Sequence, residues 1–441
     1  MSATKQLHVL VAGGGIGGLA LAQRLHKADV RVSVFEKTVQ RTEALQGFRV
    51  HINPFGSTAL RDCLPADLFA AFVSSGDNGA NGFTFATEQL KHLLTIEPEL
   101  RHGGSDLPEH QHYGISRITL RQILLAGLGE DVVHFGTALR GYERHADGTV
   151  TAHFADGSSA TGDVLVGADG GGSKVRGQYL PEAGRVDTGI VGIAGKYLLT
   201  AESRARLDPL LLRNPMSIMP PKDYGMFCAP HELDASADLL AAGIGGNEGS
   251  GPGRNLDNTR SYVFWAFAAR RDAFDPGLGT LTALDGPALR DIVLDKISGW
   301  SPALRGLVTE SAVDTISSIP ILSATPVPQW QSSNVTLLGD AIHSMTPFRG
   351  IGANTALRDA QLLGRNLIAA ERGERPLTDA IHDYETGMTD YGFAAVRTSL
   401  RAAQQFVSPG RAGRVMAKTV FRTFSAIPPL RRRVFTEERP G

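Results

Sequence analysis

Val9-Leu10-Val11-Ala12-Gly13-Gly14-Gly15-Ile16-Gly17-Gly18 runs directly into Leu19-Ala20-Leu21-Ala22, and this stretch decides the fold. An apolar run of β character meets a glycine cluster and passes straight into a helical pattern. Gly13, Gly15 and Gly18 fit G-x-G-x-x-G. In that spacing the first glycine allows a tight turn, the second lets the backbone approach a pyrophosphate, and the third permits close strand–helix packing. The helix N-terminus adds free N–H donors and the positive end of its dipole. Val32-Ser33-Val34-Phe35-Glu36 reads as a second strand, and its acid follows Gly18 by 18 residues, where a carboxylate accepts from ribose hydroxyls. Strand, loop, helix, strand and acid in this order point to a dinucleotide. Alone, they suit a nicotinamide-dependent dehydrogenase equally well.

At 441 residues the chain can hold two or three domains. A formal net charge of −1 gives no global field that would recruit nucleic acid or an acidic membrane. Cys63 and Cys228 are far apart and lack metal-ligand spacing, so neither a disulfide framework nor a zinc site is expected. No apolar run approaches the roughly 18 residues of a membrane span. No leader-like stretch precedes the first strand, and a cytoplasmic location is expected.

Outward from the glycine unit, Gly47–Pro54 alternates like a short strand and stops at Asn53-Pro54. A helix is expected over 55–72, then short strands at 83–85 and 93–96 inside an irregular segment, 74–112. A further helix is expected to begin at Ile115. Strands near 132–135, 138–145, 149–154 and 161–166, with turns at Asp147-Gly148 and Asp156-Gly157, read as a β-meander. The last of them runs into Asp169-Gly170-Gly171-Gly172-Ser173-Lys174-Val175-Arg176. From 183 to 317 the pattern becomes that of an inserted, mostly antiparallel sheet, with strands at 216–219, 225–228, 239–244 and 262–268. A flexible loop at Gly245–Pro252 and a helix over 286–298 complete it. Val335–Leu338 returns to a buried strand, followed by helices over 352–370, 377–406 and 411–424. The last carries apolar and basic residues, as does Leu430–Phe435, and docking onto the body is expected rather than binding to a membrane surface.

The third glycine-rich signal is Gly339-Asp340-Ala341-Ile342-His343-Ser344-Met345-Thr346-Pro347-Phe348-Arg349-Gly350-Ile351-Gly352-Ala353-Asn354. A strand delivers a carboxylate at its C-terminal end, where ligands bind in open α/β sheets. A capped strand–turn–helix junction with no ligand gives the same pattern. Taken together, the first loop, Gly167-Ala168-Asp169-Gly170 with Ser173 and Arg176, and Gly339-Asp340 with Pro347 and Gly350–Asn354 resemble the FAD-dependent single-component monooxygenases of the aromatic-hydroxylase type. Ser116-Arg117 and Ser173–Arg176 look most similar to the tetracycline-modifying branch. The resemblance spans most of residues 7–370.

The resemblance implies an α/β fold: a Rossmann-like FAD-binding domain of the 4-hydroxybenzoate hydroxylase type, an inserted antiparallel substrate domain, and C-terminal helices. It divides the chain into 1–75, 112–182 and 318–380 for FAD, 76–111 and 183–317 for substrate, and 381–441 as a helical segment. Gly13, Gly15, Ile16, Gly17 and Gly18 would cradle the pyrophosphate, and Glu36 and Lys37 would flank the adenosine. Arg49, Arg117 and Asp169 would reach the cofactor or the nicotinamide; Arg176 would do the same or merely hold its turn. Asp340 would accept from ribitol, and Pro347, Gly350, Gly352, Ala353 and Asn354 would line the isoalloxazine. Met216, Ile218, Met226, Phe227, Phe264, Trp265 and Phe267 are candidates for the substrate pocket, although alternation alone cannot say which face meets the flavin. No catalytic base stands out. Arg49, His343 and Arg349 are candidates, as are His51 and Tyr113, and no metal ligand set is seen.

The implied activity is oxygen transfer from dioxygen, through a flavin hydroperoxide, to an aromatic or polycyclic small molecule. FAD would be tightly bound and NADPH or NADH transient, in a monomer or homodimer. Baeyer–Villiger or epoxidising chemistry, an oxidase or desaturase without oxygen transfer, and a flavin-binding sensor or scaffold without turnover remain open. A halogenase is excluded by the isolation of Trp265, Trp300 and Trp330 from any W-x-W-x-I-P run.

Overall fold

Five parallel strands form the centre of the molecule, and the first is the apolar run before the glycine cluster. The computed structural model describes residues 6–39, 49–76, 82–97, 105–232, 260–274, 281–408 and 410–427. β1 (His8–Ala12), α1 (Ile16–His26) and β2 (Arg31–Glu36) make the first βαβ unit. β3 (Arg49–Ile52) ends at Asn53, whose side chain caps α2 (Pro54–Cys63) by accepting from the Gly56 N–H. The single helix expected over 55–72 is two helices. Leu64, just before Pro65, is extended at φ −86°, ψ 149°, because proline crowds its predecessor out of the helical region; α3 (Ala66–Ser75) starts afresh.

β4 (Phe83–Ala86) and β5 (His92–Ile96) match the two short strands expected there. β6 (Tyr113–Ser116) takes the residues expected to open a helix. Ile115 and Ser116 pair antiparallel with Val50 and Arg49, and the Ser116 hydroxyl caps α4 (Arg117–Leu125). The expected meander is also only partly one. β8 (Leu139–Arg144), β9 (Val150–Phe154) and β10 (Ser159–Gly162) form an antiparallel sheet. By contrast β7 (Val133–Phe135), before it, and β11 (Val164–Gly167), after it, pair in parallel with β2 and β1. The run 161–166 breaks at Asp163, whose carboxylate accepts from the His8 N–H at 2.8 Å.

After α5 (Lys174–Tyr179) comes β12 (Arg185–Leu198), a 14-residue strand missing from the sequence expectations. Gly189, Gly192 and Gly195 interrupt its alternation, and Gly189, at φ +71°, sits in a bulge between Asp187 and Val191. α6 (Ala201–Arg206), β13 (Met216–Ile218), β14 (Tyr224–His231), β15 (Tyr262–Arg270), α7 (Gly286–Lys296), α8 (Pro302–Thr309) and β16 (Ser317–Ala324) follow. The chain then returns through β17 (Val335–Leu337), the one-turn α9 (Asp340–His343), α10 (Gly352–Glu371), α11 (Leu377–Phe406) and α12 (Arg411–Ala426). The expected strand at 239–244, the loop Gly245–Pro252 and the run Leu430–Phe435 lie outside the described residues.

The five-stranded sheet has the order β17-β11-β1-β2-β7, with every pair parallel. All five C-terminal ends therefore open onto one edge, and the glycine loop, Asp169 and Asp340 emerge side by side. The seven-stranded sheet, β16-β12-β15-β14-β13-β4-β5, is antiparallel except for β13 with β4. One face packs Val191, Ile193, Met226, Trp265 and Phe267 into a core with α7 and α8. α12 docks on the body as expected: Phe421 lies 4.5 Å from Phe85 between ring centroids, and Lys418 reaches Glu88 at 3.3 Å. Among the described residues no helix is long and apolar enough to cross a membrane.

Candidate functional site

The glycine loop divides its own residues between packing and openness. Gly13 sits at φ +113°, and a Cβ there would collide with the Ala168 carbonyl. A Cβ on Gly18 would collide with the Gly13 carbonyl, and one on Gly17 would lie 2.8 Å from Leu338. Gly17 and Gly18 thus serve close packing, the role the spacing assigns to the third glycine. Gly15 differs: no heavy atom lies within 4 Å of its Cβ position. It heads α1 without a side-chain cap and faces a cavity of about 460 Å³ at the strand ends.

Charged groups frame that cavity. Glu36, only 8% exposed, accepts from the Gly14 N–H at 2.7 Å through Oε2 and from the Thr38 N–H at 3.0 Å through Oε1. It therefore fixes the glycine loop while still lining the cavity. Lys37, Arg117 and Lys174 line it as well, and so does Arg121, whose Nε donates to the Gly14 carbonyl at 3.1 Å. Arg121 was missed in the sequence, although it stands one helical turn after Arg117 on the same side of α4. Asp169 spends Oδ2 on the Lys174 N–H at 2.7 Å and leaves Oδ1 buried without a partner among the described residues. Arg176 does not share this cavity. It donates to the carbonyls of Ala341 (2.7 Å), Gly171 (2.9 Å) and Ala183 (3.2 Å), tying the loop after β11 to α9.

At the end of β17, Gly339 turns the chain at φ +63°, and Asp340 is exposed as the first residue of α9. Pro347–Arg349 form a short turn that ends in Gly350 at φ +62°, and α10 begins without a side-chain cap. Its first-turn N–H groups are open to an anion or a developing negative charge. Asn354 takes no part through its side chain. Oδ1 accepts from the Asn53 N–H at 2.8 Å, and Nδ2 donates to His51 O at 2.8 Å and Gly350 O at 3.2 Å. The amide is a clasp between α10 and the end of β3. His343 is likewise no catalytic candidate. It is 1% exposed, with Nε2 bonded to Asp359 at 2.7 Å and its ring set against Gly392. Arg349 is exposed on the turn.

The residues expected to form a substrate pocket separate by face. Met216, Ile218, Met226, Trp265 and Phe267 point into the core with α7 and α8 and are fully buried there. Trp265 donates Nε1–H to Ser311 Oγ at 2.7 Å. These five are corrected to core. Phe227 and Phe264 lie on the opposite, half-buried face, 6.2 Å apart between centroids, and Phe83 stacks 6.3 Å from Phe227. The same face carries Lys196, whose Nζ lies 4.5 Å above the Tyr262 ring, and His231, 5.0 Å from that ring. Arg49, in β3, lays its guanidinium against Gly114. His51 bonds His112 at 3.0 Å. Tyr113 turns its hydroxyl to Pro108 O, and burial pushes its pKa up to about 12.

The donor set suits FAD. An open glycine at an uncapped helix start and four cations suit an anionic pyrophosphate, and the carboxylates of Glu36 and Asp169 suit sugar hydroxyls.

Comparison with known proteins agrees. The family described as an FAD binding domain is matched over residues 309–399, and an NAD(P)-binding Rossmann-like domain over residues 11–41. The crystal structure of a candidate FAD-containing monooxygenase from Photorhabdus luminescens subsp. laumondii is 35% identical, with a TM-score of 0.77, and covers 91% of this chain and 99% of that one. HpxO of Klebsiella pneumoniae, solved with FAD and uric acid, is 21% identical with a TM-score of 0.75, over 97% of this chain and 96% of that one. That similarity speaks for the fold alone. The dual O-methyltransferase/FAD-dependent monooxygenase CTB3 of Cercospora beticola is 33% identical over 86% of this chain. The chain spans only 44% of that relative's length.

Proposed function

The chain belongs to the FAD-dependent monooxygenases, and from that premise we propose that it hydroxylates an aromatic or polycyclic small molecule. Substrate, dioxygen, NAD(P)H and a proton become hydroxylated substrate, water and NAD(P)+. Bound FAD supplies the transfer of electrons from the nicotinamide to dioxygen; the protein supplies position and exclusion of water. In this assignment Gly13, Gly14, Gly15 and the start of α1 hold the pyrophosphate, and Arg117, Arg121 and Lys37 offset its charge. Glu36 accepts from the adenosine ribose and Asp340 from ribitol, while Pro347, Gly350, Gly352 and Ala353 border the ring. The FAD unit is formed by 1–75, 112–182 and 318–380, and the substrate unit by 76–111 and 183–317.

One observation carries this proposal. Phe348, two residues before Gly350, packs into an apolar cluster with Ile190, Ala268 and Ile321 of the seven-stranded sheet and with Ala403 and Val407. Ala268 shares its face of the sheet with Phe264, and Phe227 pairs across with Ala266 on that face. The half-buried aromatic face is thus turned toward the loop that borders the flavin. Gly192, Ala194 and Ala266 leave its middle shallow, which suits a flat ring, and Phe227 and Phe264 flank it. Reactive oxygen held between these apolar walls is kept from water. At the far end of the face, Lys196, Tyr262 and His231 suit a phenolic oxygen.

The test is substrate-stimulated NADPH and NADH oxidation across aromatic polyketides, phenols and indoles, under isotopically labelled dioxygen. A product heavier by one labelled oxygen is expected. Turnover that gives only unlabelled product would overturn the proposal in favour of an oxidase.

A further inference from the structure

The turn that presents Asp340 is too short to hold itself. α9 has four residues, and a single helical turn recovers little of the backbone ordering it requires. Its geometry is set from outside. Asp359, from α10, has no exposed surface and accepts three hydrogen bonds. Oδ2 takes the Gly339 N–H at 2.7 Å and His343 Nε2 at 2.7 Å, and Oδ1 takes the Tyr391 hydroxyl at 2.6 Å. Gly339 is the residue just before Asp340, and His343 closes α9, so one carboxylate holds both ends of the turn. Gly392 leaves a notch in α11 that receives the His343 ring; a Cβ there would lie 2.7 Å from His343 Cδ2. Outside this set, the Arg358 guanidinium covers the Tyr391 ring at 4.0 Å.

We propose that Asp359 and His343 form a buried latch that positions Asp340 for FAD, and that this latch is tightest while the imidazole is protonated. This rests on the placement of FAD given above. Asp359 is a positioning residue: it acts through Gly339 and α9 and does not touch the cofactor.

The charges around His343 set the sign. Burial opposes the imidazolium, but the Asp359 carboxylate and, more weakly, Asp340 on its own turn hold the pKa above the ordinary 6.5. Tyr391 and Tyr384 of α11 stand beyond Asp359, and burial next to that carboxylate keeps both phenols neutral. From α5, Arg176 donates to the Ala341 carbonyl of α9, and β16 brings no titratable side chain. The interaction is therefore complete below about pH 6.5 and is lost as the pH rises through the folded-state value of His343. A ligand that binds only the ordered turn weakens over the same range.

The test is titration of apoprotein with FAD, followed by flavin fluorescence from pH 6 to 10, in parallel with melting of the apoprotein. Wild type is expected to lose FAD affinity on the alkaline side. His343→Gln, which keeps a neutral donor toward Asp359, should flatten that loss. Asp359→Asn should weaken FAD binding about tenfold or more, since it removes the charge and two acceptor roles. Tyr391→Phe keeps the charged pair and the ring packing; it should fold and bind FAD about two- to threefold more weakly. A purely structural network would lower the apoprotein melting temperature in Asp359→Asn and leave FAD affinity within about twofold of wild type. That result, or an alkaline loss that survives in His343→Gln, would overturn the latch. Failure of wild-type apoprotein to bind FAD at all would instead overturn the cofactor placement.

Discussion

The loops after β1 and β17 do the same mechanical thing by different means. Each turns on a glycine in the left-handed region, and in each a buried carboxylate accepts a loop glycine N–H at 2.7 Å: Glu36 from Gly14, and Asp359 from Gly339. In the first loop the holding carboxylate also lines the cavity, so holding the loop and facing the ligand edge reside in one residue. In the second loop the tasks are split. Asp340 is exposed toward the ligand edge, and Asp359 is buried behind it with His343 and Tyr391. Where the tasks coincide, the motif in the sequence contains the residue that holds the loop. Where they are split, the motif contains only the exposed acid, and the buried partner Asp359 lies outside it.

The largest expected effects break the first loop. Gly18→Val forces a side chain into the Gly13 carbonyl and should cost about 3 kcal/mol or more, yielding little folded protein. Gly15→Ala, with nothing near its Cβ position, should melt within about 0.5 kcal/mol of wild type as apoprotein yet lose FAD about tenfold. Equal damage from both would erase the division between packing and open glycines. Next comes the contrast between the acids. Asp340→Ala should give nearly colourless protein whose apo form melts normally, whereas Glu36→Ala should lose FAD and also about 1–3 kcal/mol of apoprotein stability. Full flavin occupancy in Asp340→Ala, read from visible absorption, would count against the placement of FAD. Asn354→Ala should lower apoprotein stability by about 1–3 kcal/mol in denaturant melts, because Asn53 N–H and His51 O lose their partner. Smallest is Trp265→Phe, at about 1 kcal/mol for the bond to Ser311, with substrate selectivity unchanged. Phe264→Ala, on the other face of the same strand, should change which substrates stimulate NADPH oxidation.

Much of this molecule can be read from local pattern. The first βαβ unit, the strand before Asp340 and the two long C-terminal helices follow from short-range periodicity, and they stand where the pattern puts them. β12 escaped because three glycines blur its alternation, and β6 because Ser116 both ends a strand and caps a helix. The pocket candidates fall on two opposite faces for a simple reason. Alternation fixes that Trp265 and Phe264 point oppositely, but only the helices packed on one side decide which direction is core.

The sequence by itself determined that this chain builds a glycine-lined dinucleotide site with an acid at its second strand end, because those constraints act within a few residues of one another. It also placed Asp340 at a strand end some 300 residues away, since an apolar strand followed by a glycine turn is local information too. Only the tertiary structure decided that β17, β11, β1 and β2 lie side by side, so that Asp340 and Glu36 share one edge. Only it could show that Asp359, His343 and Tyr391, drawn from three helices, meet in a space closed to water. Buried polar groups must find partners wherever the fold brings them together, and no sequence spacing encodes that meeting.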